Sequence, residues 1–400
     1  MKIAIVCQRF GQEVIGGAEH HAWQVAEKLQ SLAGHSVEIL TTRARSARTW
    51  QNAYPPGPTA TGGFCVRRFS TRFPRLPWVF SLYHRLVWRH CRQNSSRLTS
   101  WLEWIWYILQ GPYSPALVRY IRDHQQKYDQ IIFFTYLYYP TVFGLPLVAG
   151  KALLIPTCHD EPPFYFPKIQ KNFALCKRIL VNSASERALL CQMNPQLGAK
   201  IRICGVGIDL PRVDPTLRPY PHGYLVVVGR INRLKGSFDL VAMFAKLAKR
   251  LAQPLALVFI GPYEKKDRKN LEALAHTGGI GDRVLIQGVV SEADKLAWMA
   301  GSLALCNPSR LESLSLVVLE SIALGIPVLV NQNCPVLNAY TFLPSVFAYQ
   351  DADDFFRLVQ SLWDKPWQLT APEKLQAARD QLLQHFSWPA VLATFAEALN

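Results

Sequence analysis

The chain contains no C-x-x-C pair, and its nine cysteines (Cys7, Cys65, Cys91, Cys158, Cys176, Cys191, Cys204, Cys306 and Cys334) form no even framework. A disulfide scaffold is therefore excluded, and the thiols read as reduced in a cytosolic protein. No long N-terminal apolar run is present. Met1-Lys2 followed by IAIVCQRFG ends at Gln8-Arg9, too short for a signal peptide, and is read as a first strand. Charge is low, at 18% of residues against 50% hydrophobic, which belongs to a globular chain and not a disordered one. Ile131 to Gly150 holds no charge over twenty residues, but Pro140, Gly144 and Pro146 interrupt it. The pattern predicts strand, short helix and strand in place of a membrane span. RNP-like, zinc-finger and Gly-rich RNA signatures are absent, so nothing beyond charge points to nucleic acid.

What is there is cationic, and unevenly so. The net charge is +16; residues 1–215 hold 26 Lys+Arg against 12 Asp+Glu, and 216–400 hold 18 against 16. Between Arg43 and Arg122 stand thirteen arginines, no lysine and one acid, Glu103, interleaved with Trp50, Trp78, Trp88, Trp101, Trp104 and Trp106. Arginine with tryptophan suits an anionic bilayer surface, where the ring sits at headgroup depth and the guanidinium meets phosphate. From Leu82 to Cys91, Arg85, Arg89 and Arg92 share a helical face beside Leu82, Leu86 and Val87, the pattern of a basic amphipathic helix. The rest of this stretch, broken by Pro55, Pro56, Pro58, Pro74 and Pro77, reads as irregular.

At 400 residues the chain has room for two or three domains. Apolar strands alternate with amphipathic helices: Lys2 to Gln8, then Gly16-Gly17 and a helix carrying Ala22, Val25, Ala26, Leu29 and Leu32, then Val37 to Thr42. Pro211, Pro215, Pro219 and Pro221 mark a linker, after which Tyr224 to Gly229 restarts the alternation. The fold class expected is α/β, with parallel sheets covered on both faces. His159-Asp160 follows a strand, at the end where ligands bind in such sheets. Arg230 and Lys235 lie in a basic turn after another. The stretch Cys306 to Val330 reads as strand, turn and short helix from about Leu314 to Leu324, with Gly325 at the C-cap position. The N–H groups of Leu314, Ser315 and Leu316 at its start suit a phosphate, while Glu312 and Glu320, eight positions apart, suit hydroxyls. An anion cradle between hydroxyl acceptors fits a nucleotide-diphosphate sugar. Asp351-Ala352-Asp353 has a metal-binding form but begins a helix, where the dipole favours acids, and is read as a cap.

Glu312 to Glu320 resembles the E-x7-E motif of glycosyltransferase family four, the retaining transferases of GT-B fold within the glycosyl transferases group 1. Gly229-Arg230 to Lys235-Gly236 resembles that family's Gly-Arg-x4-Lys-Gly. Gly16 to Glu19 resembles its Gly-Gly-Ala-Glu loop, and His159-Asp160 its His-Asp. The likeness covers nearly the whole chain outside Arg43–Arg122. It implies two Rossmann-like doubly wound domains facing a central cleft. Residues 1–210 would bind the acceptor and carry the basic insert 43–122; residues 211–222 would be the linker, 223–371 the donor domain, and 372–400 helices packing back on the first domain. It implies sugar transfer from a nucleotide-diphosphate sugar to a hydroxyl of a glycan or glycolipid acceptor, in cell-envelope or exopolysaccharide synthesis. His159, Glu312, Arg230 and Lys235 would be catalytic. Gly16, Gly17, Arg230, Lys235, Glu312, Leu314, Ser315, Leu316 and Glu320 would bind the donor, with no metal and no cofactor. The protein would be cytoplasmic, peripheral on the inner face of the plasma membrane through Arg43–Arg122, and without a nucleic-acid partner. Two departures stand out. Leu314 and Ser315 replace an aromatic and a glycine, and Asn331 to Pro335 replaces a Gly-Gly pair and an acid. The competing classes are a sugar-nucleotide-binding subunit that has lost turnover, a phosphorylase of the same fold, and a basic nucleic-acid-binding protein.

Overall fold

The structure, a computed structural model, describes residues 1–14, 16–91, 97–210, 213, 219–251, 254–364 and 370–399, without the side chains of 88–91 and 97–99. The chain divides into two units, Met1–Val206 with Val391–Asn400, and Gly207–Ala390.

In the first unit, β1 (Lys2–Val6), β2 (Ser36–Thr42), β3 (Gly57–Thr61), β4 (Phe64–Phe69), β5 (Gln130–Phe134), β6 (Ala152–Ile155), β7 (Arg178–Val181) and β8 (Ile201–Ile203) form one sheet in the order β3-β4-β2-β1-β5-β6-β7-β8. Every pairing is parallel except β3 with β4. Ile3, Ala4, Ile5 and Val6 are wholly buried, because β1 is central and helices cover both faces. The winding reverses between β1 and β5, so the loops leaving those strands flank a crevice.

The second unit repeats the plan. Strands β9 (Tyr224–Val228), β10 (Ala256–Ile260), β11 (Val284–Gly288), β12 (Ala304–Asn307), β13 (Val328–Asn331) and β14 (Val346–Tyr349) lie all parallel in the order β11-β10-β9-β12-β13-β14. That is the doubly wound dinucleotide-binding order, with its reversal between β9 and β12.

The stretch 43–122, read as mostly irregular, holds regular elements over much of its described part. β4 pairs with β2 in the sheet proper, and helices follow at Pro77–Cys91, Arg97–Gln110 and Pro115–His124. Several of its arginines serve the fold. Arg67 pairs with Glu38 at 2.8 Å, and Arg68 is 3% exposed and donates to the Phe10 carbonyl at 3.1 Å. Trp50 and Trp106 are buried as well: the Trp50 indole donates to the Gln110 carbonyl and the Trp106 indole to His84 Nδ1. Trp88, Arg89 and Arg92 lie outside the described side chains. Ile131 to Gly150 holds β5, a short helix Tyr139–Gly144 and a 3-10 segment, and no described helix is long and apolar enough to cross a membrane.

The C-terminal segment differs from expectation. Helix Pro372–Phe386 stays in the second unit, packed on helix Leu316–Ala323 through a face that buries Ala378 and Leu382. Only Val391 onward joins the first unit, where the Leu399 carbonyl accepts from Gln130 Nε2 at 3.0 Å and Lys177 Nζ at 3.3 Å. Of the expected linker, 213 and 219–222 are described and belong to the second unit; the remainder lies outside the described residues.

His21, on helix Gly17–Ser31, sits edge-on to Phe134 with its Nε2 buried and unpartnered. Burial pulls its pKa down to about 3, with neighbouring His20 adding to the effect. An unfolded histidine takes its proton near pH 6.5. Stability is therefore full above that value and lost as pH falls toward 3, by about 2 kcal/mol at pH 5. Urea unfolding at pH 7 and pH 5 should show that His21→Leu removes about that much of the acid-side loss.

Candidate functional site

In the second unit the site grows from two loops that leave adjacent strands at the reversal point. After β9, Gly229 takes a positive φ of 145°, and its carbonyl lies where a Cβ on Gly261 would come to 2.0 Å. The loop closes with Asn232 Oδ1 accepting from the Lys235 amide at 2.9 Å. Gly236 then has φ 73°, and a Cβ there would lie 2.3 Å from the Pro308 carbonyl oxygen. Only glycine meets both conditions. After β12, Asn307 Oδ1 accepts from the Ser309 amide, and its Nδ2 donates to Ser315 Oγ at 2.8 Å. Tyr340 Oη donates to the Leu314 carbonyl at 2.7 Å, and Asn331 Nδ2 to the Pro308 carbonyl at 3.2 Å.

These contacts bring Lys235 Nζ to 2.7 Å from Glu312 Oε1. Arg230 is exposed and makes no hydrogen bond or ion pair among the described residues. Ser315 takes a left-handed conformation, φ 69° and ψ 76°, at the cap of helix Leu316–Ala323, and no side chain caps that helix. The serine thus occupies the backbone region that a glycine would supply, and Leu316 onward presents an N-terminus open to an anion. Gly325, at φ 74°, ends the helix as expected. Glu320 lies about one turn in, and its Oε2 accepts from Lys295 Nζ at 2.8 Å. Lys295 also meets Glu292 Oε1 at 2.6 Å. Burial, the largest influence, lowers its pKa, but Glu320 and Glu292 together outweigh burial and raise it. Sequence reasoning missed Lys295, because one lysine in a charged helix carries no signal until Glu320 is placed beside it. Asp351 Oδ1 accepts from the amides of Asp353 and Asp354, as a helix cap does.

The remaining candidates belong to the first unit. Arg9, at the end of β1, donates through Nε to Glu19 Oε1 at 2.9 Å, with Nη2 at 2.6 Å, while Gln8 Nε2 donates to the same oxygen. Arg9 Nη1 donates to the Arg45 carbonyl, and Thr135 Oγ1, at the end of β5, to Gln8 Oε1. A Cβ on Gly16 would come 2.2 Å from Glu19 Oε2, so a side chain here would press on the Arg9–Glu19 pair, whereas Gly17 has open space around it. In sequence Glu19 figured only as the last residue of the Gly-Gly-Ala-Glu loop and Arg9 only as the polar end of an apolar run, and nothing linked the two. Beside them a pocket of about 570 Å³ is lined by Arg9, Glu13, Arg45, Ser46, Thr49, Gln51 and Asn52.

His159 follows β6 on a loop whose Thr157 has φ 50°. Glu186 anchors that loop: its Oε1 accepts from the Cys158 amide at 2.6 Å and its Oε2 from the Asn182 amide at 2.7 Å. Burial pushes the Glu186 carboxyl up to about 7, against the pull of those two amides.

Residues 216–366 match the family model for glycosyl transferases group 1. A D-inositol 3-phosphate glycosyltransferase of Catenulispora acidiphila is 26% identical over 286 residues, 64% of this chain and 68% of the relative. Among solved structures, sucrose-phosphate synthase from Thermosynechococcus elongatus superposes with a TM-score of 0.72 at 18% identity, covering 99% of this chain and 97% of that one. Anabaena HepE in complex with UDP-glucose gives 0.69 at 15% identity, covering 100% and 99%. The fold is GT-B, two Rossmann-like domains. The chain thus carries a glycosyl transferases group 1 domain at 216–366, and that match and its relatives support glycosyltransferase activity.

Arg9 and Glu19 are 9% and 7% exposed, so truncating one strands the other's charge. Chemical denaturation should find Arg9→Met less stable by about 3–5 kcal/mol, with Arg9→Met plus Glu19→Leu recovering most of the loss.

Proposed function

We propose that the protein transfers a sugar from a nucleotide-diphosphate sugar to a hydroxyl of a lipid- or polysaccharide-linked acceptor, with retention of configuration and without a metal, as a member of glycosyltransferase family four. The observation that carries this reading is the Lys235–Glu312 pair at the β9/β12 reversal, with an Arg230 that has no partner among the described residues and an uncapped helix start in the same unit. The UDP-glucose in the HepE structure supports a nucleotide-sugar donor.

In the reaction the bond from the sugar's anomeric carbon to the diphosphate breaks, and a bond from that carbon to the acceptor oxygen forms on the same face. Arg230, Lys235 and the amides at Leu314, Ser315 and Leu316 stabilise charge gathering on the departing diphosphate. The acceptor proton passes to the leaving phosphate oxygen, so no protein base is required. Glu312 holds donor-sugar hydroxyls, Glu320 the ribose, and His159 the sugar or acceptor. The left-handed Ser315 supports an active enzyme over an impaired binder, because the serine keeps the backbone course open to a phosphate. The polar pocket beside Arg9 supports a hydroxyl-rich acceptor.

We place the protein on the cytoplasmic face of the plasma membrane, in envelope or exopolysaccharide synthesis. Helix Pro77–Cys91 exposes Trp78, Leu82, Arg85 and Leu86, and helix Arg97–Gln110 exposes Trp101 and Trp104. Glu103 is 3% exposed, accepting from Tyr107 Oη and the Lys168 amide, so the acid of this stretch is withdrawn from the surface. An apolar and cationic face fits anionic lipid better than nucleic acid.

Assaying a panel of uridine, guanosine and adenosine diphosphate sugars against lipid extracts tests the reaction. Glu312→Gln should lower kcat about tenfold to a hundredfold while nucleoside diphosphate affinity stays near wild type, because its contact strengthens only as the sugar gains positive charge. A wild-type rate in Glu312→Gln would remove the motif from the mechanism. In liposome co-sedimentation, binding should require anionic lipid, weaken with salt, and fall on Arg85→Glu or on Trp78→Ser plus Trp101→Ser. Equal binding to neutral vesicles would overturn the electrostatic part.

A further inference from the structure

Helix Leu316–Ala323 sets two features about 6 Å apart along its axis: an uncapped start, and the Glu320 carboxylate one turn on. The carboxylate is not alone there. Lys295 reaches it from helix Glu292–Ala300, and the two side chains are 15% and 19% exposed, enclosed but not sealed. An ammonium has three N–H donors. Two are used, toward Glu320 Oε2 and Glu292 Oε1, and one remains. Glu320 keeps its Oε1 free of any partner among the described residues. One fixed acceptor beside one open donor is the complement of a hydroxyl pair, in which one group gives a proton and the other receives one.

We propose that Lys295 is a further residue of the donor's ribose site: it holds in place the Glu320 carboxylate, set on the ribose above, and donates its third N–H to a ribose oxygen. The proposal rests on the donor reading above, in which the diphosphate occupies the helix start. It adds that nucleotide selectivity at the ribose depends on a residue outside the motif that contains Glu320. Glu292, 68% exposed, has no part in it.

Titration calorimetry with uridine, guanosine and adenosine diphosphates and their 2′-deoxy counterparts tests this. The wild type should bind its preferred ribonucleotide about tenfold to a hundredfold more tightly than the deoxy form, the fold-change of a hydrogen bond to a charged group. Lys295→Met should reduce that ratio to about threefold or less, Lys295→Arg should keep a larger ratio than Lys295→Met, and Glu292→Gln should leave it unchanged. Because Lys295→Met removes the shared partner of two carboxylates, near-ultraviolet circular dichroism accompanies each variant, and Lys295→Arg carries the test if Lys295→Met unfolds. Wild-type discrimination in folded Lys295→Met, or a loss in Glu292→Gln equal to that in Lys295→Met, would overturn the proposal. Failure of the wild-type chain to bind any of the three ribonucleotides would instead overturn the donor reading, and the role of Lys295 with it.

Discussion

The passage of Gly236 against the Pro308 carbonyl is the constraint on which the second unit's site depends. Two loops leave neighbouring parallel strands at the point where the winding reverses, and such loops ordinarily diverge. Here a residue without a side chain, held at φ 73°, lets one backbone lie against the other. Lys235 is carried in by the next residue, Glu312 by the opposite loop, and their 2.7 Å contact follows from the backbone approach. For the donor reading, an arriving anion would find a lysine already oriented and partly desolvated, and an arginine with no hydrogen bond or ion pair among the described residues.

The described non-glycine residues with left-handed backbone are Trp50, Thr135, Thr157 and Ser315. Each such residue costs about 1–3 kcal/mol and persists only where neighbours hold it. The restraints are specific: the Trp50 indole is tied to Gln110, the Thr135 hydroxyl to Gln8, the amide following Thr157 to Glu186, and the Ser315 hydroxyl to Asn307. Thr135 and Thr157 lie just after β5 and β6, and Ser315 closes the loop that follows β12, on the side of parallel strands where doubly wound folds bind ligands. Strain and its restraint are concentrated where side chains must be aimed.

The alternation of apolar strands and amphipathic helices was legible because central parallel strands are buried on both faces and read as unbroken apolar runs, as in Ile3 to Val6 and Val328 to Val330. Arg230, Lys235, Glu312 and Glu320 could be singled out because their spacing along the chain is short and fixed, and the structure sets Lys235 against Glu312. β4 was not: Phe64, Phe69 and the buried Arg68 hide the alternation, since arginine there is a hydrogen-bonding core residue and not a solvent signal. Neither were Lys295 with Glu320 nor Arg9 with Glu19. Such pairs join different elements, and no local pattern announces a partner across a fold.

The block of arginines from 43 to 122 shows why charge along a chain is not charge on a surface. Arg67 and Arg68 are spent inside the unit, and Arg43 donates to the Tyr54 carbonyl. Counted by sequence the stretch is uniformly cationic; counted by position only part of it faces water. The same sorting withdraws Glu103, where burial raises its carboxyl pKa against the bonds from Tyr107 and Lys168. Fewer arginines are then exposed, and in the same stretch Trp78, Leu82, Leu86, Trp101 and Trp104 stand exposed beside them in sequence. The two kinds of group work at different ranges. Charge is felt out to the screening length, about 8–10 Å, and apolar area only at contact. For the membrane reading, arginines would therefore govern approach and the tryptophans and leucines residence, a division that sequence composition, which sees both kinds of residue mixed together, does not express.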